Sequence, residues 1–178
     1  GCVGSSTIST RFPSIEKNTQ IINLLETAKA QGESYGGQVE VQIKNIPVGL
    51  GQPVFHKFKS DLALAMMSLG AATGFDFGAG HSSVEQKGTD FHKEMSSSSY
   101  GGIRGGLTTG EIINFSVSFK PTSSIKDTAK QGRHDPCIAI RAVPVVRACL
   151  AIALADAVLI GRANGLEGTS DRRKVKDR

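Results

Sequence analysis

The sequence lacks tryptophan, and aromatic residues make up only 6% of its 178 residues. Stacking on nucleic-acid bases or sugars therefore has little material here. Cysteine is also scarce, and the spacing of Cys2, Cys137 and Cys149 matches neither a metal site nor a disulfide framework. We expect Cys137 to point into the core, and such thiols favour a reducing compartment. The four histidines have no metal-ligand spacing, so we expect no metal.

The positive charge is dispersed rather than concentrated in a stripe. The net charge is +5, and the tail EGTSDRRKVKDR holds five basic and three acidic residues, which accounts for +2 of it. A basic balance can indicate nucleic-acid binding, but a modest and scattered charge suits a small anionic ligand equally well. We therefore expect no nucleic-acid partner.

No apolar run is long and uninterrupted enough to predict a membrane span. The longest, residues 142–160, contains Arg147 and Asp156. We interpret it as a buried helix, and we expect no membrane partner. The first residues do not resemble a signal peptide, which predicts a cytoplasmic protein.

The spacing of apolar residues predicts three helices. The first follows Ser14, a suitable N-cap, and ends near Gly32. The other two are expected over residues 54–70 and 144–161. Phe55 belongs to the predicted apolar stripe of the second helix, and Pro144 suits the first turn of the third.

Alternating polarity predicts strands over residues 39–46 and 113–119, each with one buried face. Residues 74–80 form a short strand or a turn, and residues 81–100 are polar and aperiodic, which predicts a long loop. This order of elements predicts a layered α+β fold with antiparallel sheets. We expect a single domain over residues 1–178, in which residues 163–178 form a flexible basic tail.

Two loops have the composition of anion-binding segments. GGIRGG, residues 101–106, has four glycines that allow close backbone approach to a ligand, although a tight turn explains them equally well. KPTSS, residues 120–124, offers a lysine, three hydroxyls and backbone N–H groups to a phosphate. A solvated loop between two elements would have the same composition.

A third segment, GRHDPCIAIRAVPVV at residues 132–146, places charges of both signs before an apolar helix. Arg133 can contact a phosphate or carboxylate through two hydrogen bonds. Asp135 is either a salt-bridge partner or a proton acceptor. His134 can titrate near neutral pH or serve a structural role. These charges make sense if they line a pocket above the helix.

Taken together, these segments resemble the chorismate synthase family. The resemblance is carried by GESYGGQVEV, PVGLGQPVFHKFKSDLALAMMSLGAATGFDFGAG, GGIRGGLTTGEI, FKPTSSI and, above all, GRHDPCIAIRAVPVV, which is similar to the family's C-terminal signature. The order and most spacings also agree.

The resemblance implies a β-α-β sandwich, with antiparallel sheets packed on central helices, and a homotetramer. It implies a lyase of the shikimate pathway that converts 5-enolpyruvylshikimate 3-phosphate to chorismate and phosphate by 1,4-elimination, a step toward aromatic amino acids. Reduced FMN is required without net redox change, and NADPH or an external donor supplies the reducing equivalents.

The resemblance also implies roles for individual residues. The family's flavin contacts fall on Gly70, Ala71, Gly105, Lys120, Pro121, Thr122, Ser123, Ser124 and Arg133. Arg104 and Arg133 would bind the substrate. Asp135 matches the family aspartate near flavin N5, which relays the substrate proton. Gly70 stands where many relatives have asparagine, and Arg147 stands where the family usually has glutamate.

The resemblance covers only the C-terminal half of a full-length family enzyme. The G-x-S-H-G motif, the histidine that acts as general acid and the serine-arginine flavin motif of the N-terminal half do not occur in this sequence. We therefore expect the chain alone to be inactive. The alternative is a non-catalytic flavin- or anion-binding or assembly fragment. The active-site interpretation requires residues 101–106, Lys120 and Arg133 to lie close together.

Overall fold

The computed structural model describes residues 15–93, 98–126 and 135–166. Its helices are α1 (Ile15–Gln31), α2 (Phe58–Met67), α3 (Gly88–Phe91) and α4 (Ala139–Ala163). Its strands are β1 (Gly37–Ile43), β2 (Ala72–Phe77), β3 (Ile103–Arg104), β4 (Leu107–Thr108) and β5 (Ile113–Phe119). Short 3-10 helices occupy Gly80–Glu85 and Ser98–Tyr100. The α+β class with antiparallel strands is the one that the sequence predicts.

The main sheet has three antiparallel strands in the order β1-β5-β2, so β5 is central. Buried and partly exposed residues alternate along all seven residues of β5, as the sequence predicts. Val117 pairs with Val39 on one side and with Phe75 on the other, which builds an apolar face. Ser116 pairs with Glu40 and Asp76, which makes the opposite face polar.

Helices α2 and α4 pack on the apolar face of the sheet. The residues that the described structure excludes most completely from solvent are Phe58, Leu62, Met66, Ile113, Val117 and Val146. They come from α2, β5 and α4, so these three elements define the core. Met66 is a core residue, as the sequence analysis expects.

The start of α2 differs from the prediction. The helix begins at Phe58, and Phe55 is 86% exposed with φ at 59°, so it does not belong to the apolar stripe. The preceding residues instead turn toward the β3–β4 hairpin, where Phe58 N donates to Gly106 O at 2.9 Å. The helix ends at Met67 with Ser68 as its cap, before Gly70.

The start of α4 also differs, because the helix begins at Ala139 and Pro144 lies inside it. Proline at that position leaves the carbonyl of Ile140 without its usual intrahelical donor. The prediction gave the proline too much weight and missed the first turn. At the other end, Leu166 N donates to Gly161 O at 2.9 Å, and residues 167–178 lie outside the described residues.

Two segments predicted as irregular contain local structure. Residues 80–93 form a 3-10 helix and the short helix α3 rather than a loop. In GGIRGG, strands β3 and β4 pair, and the turn residues Gly105 and Gly106 both have positive φ, at 59° and 97°. Two left-handed residues are what a two-residue hairpin turn requires. The tight-turn interpretation of these two glycines is therefore correct.

Only one face of α4 is covered, contrary to the expectation of a buried helix. Val145, Ile152 and Leu159 recur every seven residues on the uncovered side and are 48%, 70% and 62% exposed. On α2, Leu64 is 72% exposed as well. By length and composition alone α4 could cross a membrane. Exposed apolar stripes of this kind are typical of interaction surfaces.

Two leucines of α2 allow a matched test of the core. Leu62→Ala removes a side chain with no exposed surface, and we expect it to lower the free energy of unfolding by about 2–5 kcal/mol. Leu64→Ala removes an exposed side chain and should change it by less than about 0.5 kcal/mol. Denaturant titration of the purified chain measures both. Equal losses would contradict the described packing.

Candidate functional site

Several candidate residues meet at the end of the sheet where β5 finishes. Lys120, the residue after β5, donates its backbone N–H to Ala71 O at 3.0 Å, just before β2 begins. The flavin-contact candidates Ala71 and Lys120 are therefore neighbours. Lys120, Pro121 and Ser123 are exposed and accessible to a ligand.

The loop 120–124 is joined to the segment that precedes α4. Thr122 donates its hydroxyl to the carbonyl oxygen of Asp135 at 3.0 Å. Gly36 and Gly37, at the start of β1, lie against both the loop 120–124 and the segment that precedes α4. A Cβ on Gly37 would lie 2.6 Å from Ala139 Cβ, and one on Gly36 would lie 2.7 Å from Phe119 O. Only glycine allows this approach, which brings two of the three candidate segments together.

The Asp135 carboxylate is held from two directions. Arg141 Nε lies 2.9 Å from its Oδ2, and Cys137 N donates to its Oδ1 at 3.4 Å. The side chain of Asp135 is 24% exposed, so a ligand can still reach it. The salt-bridge interpretation is therefore correct, and it does not exclude proton transfer. Cys137 is half-buried beside Gly36, where its Sγ lies 3.9 Å from the carbonyl oxygen, rather than in the core.

The electrostatics of this end of the sheet favour an anion. Lys120 brings a positive charge, the charge of Arg141 is paired with the Asp135 carboxylate, and the first turn of α4 lies beside Asp135. The N-terminus of a helix carries a partial positive charge, which adds to that of the side chains. A phosphate or carboxylate would be attracted here.

Gly70 and Ala71 lie at the turn between α2 and β2. A Cβ on Gly70 would have no atom within 4 Å, so the space beside it is open. Ala71 has φ at 66°, a left-handed conformation that costs an alanine about 1–2 kcal/mol. Its carbonyl is fixed by Lys120 N, which explains how the conformation persists.

The hairpin residues Arg104 and Gly105 lie elsewhere. The hairpin is next to the start of β5, where a Cβ on Gly102 would lie 2.7 Å from Ile112 O, whereas Lys120 follows the end of β5. A seven-residue strand spans roughly 20 Å. Within this chain residues 101–106 therefore do not lie close to Lys120, and that expectation is wrong.

Arg104 has a separate environment. Its guanidinium carbon lies 4.9 Å from the centroid of the Tyr100 ring, and its Nη2 lies 3.8 Å from Glu111 Oε1. Its Nε and Nη2 are enclosed without a hydrogen-bond partner in the described structure. Arg133, with His134, lies outside the described residues, so its role stays a prediction.

Sequence reasoning missed two residues that organise the site. Ser34 donates its hydroxyl to Thr122 O at 2.8 Å, and Tyr35 N donates to Pro136 O at 2.8 Å. Both lie in GESYGG, which the sequence analysis used for the family resemblance and for the end of the first helix, without a role for either residue in the site. A hydroxyl between glycines was the available signal, but its partner is 88 residues away in the chain.

A cavity of about 480 Å³ lies on the polar face of the sheet, away from these loops. Its lining includes Glu40, Gln42, Asn114 and Ser116 and contains no lysine or arginine. It therefore does not suit an anionic cofactor. Among the described residues no group of three His, Cys, Asp or Glu side chains could hold a metal ion.

The fold defines a layered α+β protein with polar and cationic loops at one end of an antiparallel sheet. Comparison with known proteins narrows this class. The family model described as chorismate synthase matches residues 3–159. The chain belongs to the chorismate synthase family.

Individual relatives agree with this assignment. The chorismate synthase of Bdellovibrio bacteriovorus is 56% identical over 82% of this chain, and that of Cupriavidus pinatubonensis is 40% identical over 85%. A crystal structure of chorismate synthase superposes with a TM-score of 0.71 at 31% identity and covers 83% of this chain. The chain spans 42% and 47% of the two relatives and 44% of the solved chain, which is about half of each.

The close approach at Gly37 can be tested against an open glycine. Gly37→Ala places a Cβ against Ala139, and we expect a loss of about 1–3 kcal/mol in the free energy of unfolding. Gly70→Ala meets no atom within 4 Å and should stay within about 0.5 kcal/mol of the unchanged chain. Denaturant unfolding compares the two. A loss at Gly70 as large as that at Gly37 would disprove the described contact.

Proposed function

We propose that the complete protein to which this chain belongs converts 5-enolpyruvylshikimate 3-phosphate to chorismate and phosphate. The reaction is a 1,4-elimination with reduced FMN as cofactor, and it belongs to aromatic amino acid biosynthesis. The observation that supports it most is the hydrogen bond from Thr122 to the Asp135 carbonyl. It joins a hydroxyl- and lysine-bearing loop to the backbone of the aspartate in a chain of this family.

The residues present fit an anionic flavin and a phosphorylated substrate. Lys120 supplies a cation, Ser123 an exposed hydroxyl and Gly70 an open space beside the backbone. Thr122, Pro121 and Ser124 complete the loop that would hold the cofactor. Reduced FMN, when bound, supplies electron density to the substrate as phosphate leaves. Fixed cations and N–H dipoles stabilise anions without reorganisation during the reaction.

Asp135 would receive and pass on the substrate proton. As the C–O bond to phosphate breaks, a proton leaves a ring carbon and a new double bond forms, so a base beside the ring is required. Arg141 orients the carboxylate through Oδ2 at 2.9 Å. Because the side chain remains partly exposed, it can exchange that proton with its surroundings.

The uncovered stripe of α4 supports a larger assembly around this chain. Val145, Ile152 and Leu159 form an exposed apolar stripe, and Leu64 of α2 is exposed as well; burial of such apolar surface is favourable. We propose that the remainder of the protein covers it, as the central helices of the family's sandwich require, and that α4 does not cross a membrane. A cytoplasmic homotetramer is the corresponding assembly.

The roles of Arg104, Gly105 and Arg133 toward cofactor and substrate remain part of this proposal. The hairpin and Lys120 lie at opposite ends of β5. Arg104 and Gly105 would therefore act at a different site from the one that Lys120 of the same chain lines. The reducing equivalents come from NADPH or from an external donor. Reduction of added FMN by the purified protein with NADPH distinguishes these sources.

Turnover by the complete protein tests the function. With reduced FMN and 5-enolpyruvylshikimate 3-phosphate, we expect chorismate and phosphate in equal amounts, measured by absorbance and phosphate release. The chain of 178 residues alone should show no turnover, because it contains no S-H-G motif and half of the family's flavin site is absent from its sequence. Flavin binding without elimination by the complete protein would favour a non-catalytic module instead.

Asp135 and Lys120 should affect different parameters. Asp135→Asn keeps an acceptor for Cys137 N but removes the base, so we expect kcat to fall about 100-fold or more with little change in flavin affinity. Lys120→Ala removes a charged partner of the ligand and should raise the flavin or substrate Kd about 10-fold. Steady-state kinetics and flavin fluorescence titration measure these changes.

Arg141→Gln is the matched control, because it removes the ion pair and leaves the Asp135 carboxylate in place. We expect a smaller fall in kcat than for Asp135→Asn. If Asp135→Asn and Lys120→Ala change the same parameter to the same extent, the division of roles is wrong.

A further inference from the structure

The segment 32–37 between α1 and β1 contacts both loops of the candidate site. Ser34 Oγ donates to Thr122 O at 2.8 Å, and Tyr35 N donates to Pro136 O at 2.8 Å. At its start, Gly32 O accepts from Lys126 N at 2.7 Å. Segment 32–37 is therefore hydrogen-bonded both to residues 122–126 and to the segment that precedes α4.

Ser34 is the residue of this segment whose side chain makes the connection. Its hydroxyl fixes the carbonyl of Thr122, while the hydroxyl of Thr122 donates to the carbonyl of Asp135 at 3.0 Å. Ser34 is thus linked to the backbone of Asp135 by two hydrogen bonds, one to the carbonyl of Thr122 and one from its hydroxyl. Ser34 is partly buried.

The backbone of segment 32–37 is itself fixed. Glu33 N donates to Ala28 O at 2.8 Å, which ends α1, and Gly37 is paired with Phe119 in the sheet. A donor held between a helix end and a strand has little freedom of its own. It can therefore transmit a defined position to Thr122.

We infer that Ser34 is a positioning residue that sets the location of Thr122 and, through it, of Asp135. This inference rests on the proposed function, since it assigns to Ser34 an effect on the reaction and no contact with the reacting atoms. Displacement of a reacting group by about 1 Å can cost on the order of 100-fold in rate. Loss of the Ser34 hydroxyl should therefore lower kcat by more than it lowers stability.

The test uses Ser34→Ala in the complete protein, with Ser34→Thr to restore a hydroxyl. The matched control is Ser82→Ala, because Ser82 also donates to a backbone carbonyl, Ala79 O at 2.7 Å, on a 3-10 turn outside the candidate site. We expect Ser34→Ala to lower kcat about 10- to 100-fold per folded, flavin-bound site. Ser34→Thr should recover most of the loss, and Ser82→Ala should leave kcat unchanged.

A double-mutant cycle separates positioning from simple stabilisation. If Ser34 acts through Asp135, adding Ser34→Ala to Asp135→Asn should lower kcat by no more than about 2-fold further, because coupled residues are not additive. Two effects that multiply fully would overturn the inference. So would a Ser34→Ala protein with undiminished kcat.

Hydrogen exchange keeps the inference testable if the proposed reaction is wrong. In a protein with no elimination activity, Ser34→Ala should still accelerate amide exchange about 10-fold in residues 122–124 and 137–138, and Ser82→Ala should not. Unchanged exchange in both loops would refute the connection itself. If Ser34→Ala shows faster exchange and the unsubstituted protein has no elimination activity, only the proposed function is refuted.

Discussion

Strand β5 is hydrogen-bonded on both edges and packed on one face, and the rest of the structure is arranged around it. Its register with β1 and β2 decides which residues face the helices, because a shift by one residue would exchange the apolar and polar faces. The same register places Lys120. Its N–H continues the pairing with Ala71 O, so the loop 120–124 begins as an extension of the sheet rather than as a free segment.

Strands with one apolar face were predictable from the sequence. In β5 every second residue is large and apolar, and no helical spacing accommodates that order. β2 was harder, because Gly74 and Asp76 interrupt its apolar residues and its register with β5 shifts between Ala72 and Gly74. An edge strand with an irregularity leaves a weaker pattern than a regular central one.

The errors in the helices have physical causes. Val54 and Phe55 are apolar and lie shortly before α2, but the chain there turns to meet the hairpin at Gly106, and a long-range contact of that kind leaves no local signal. In α4, apolar residues occupy both the covered and the uncovered side. Such a helix has no clear polar face by which its orientation, or the role of Pro144, could be judged.

The site was predictable in composition and only partly in geometry. Loops that contain lysine, hydroxyls and aspartate were identified by the chemistry that anions require, and two of them do meet. The partners that fix them, Ser34 and Arg141, act through single hydrogen bonds and ion pairs between defined atoms. Nothing in spacing along the chain selects one serine among many as the donor to Thr122. The hairpin shows the converse, since two of the four glycines in GGIRGG, Gly105 and Gly106, meet the conformational requirement of its turn.

Helix α4 links the two main findings of the structure. Its first turns hold Asp135 through Arg141, and its middle carries the uncovered stripe of Val145 and Ile152. Because Arg141 and the stripe lie on the same helix, on either side of Pro144, whatever covers the stripe also bears on the first turn that holds Arg141. Within the described residues, Asp135 is held by two hydrogen bonds and one ion pair. We therefore expect the surface that covers the stripe to fix the position of Asp135 as well as to bury apolar area.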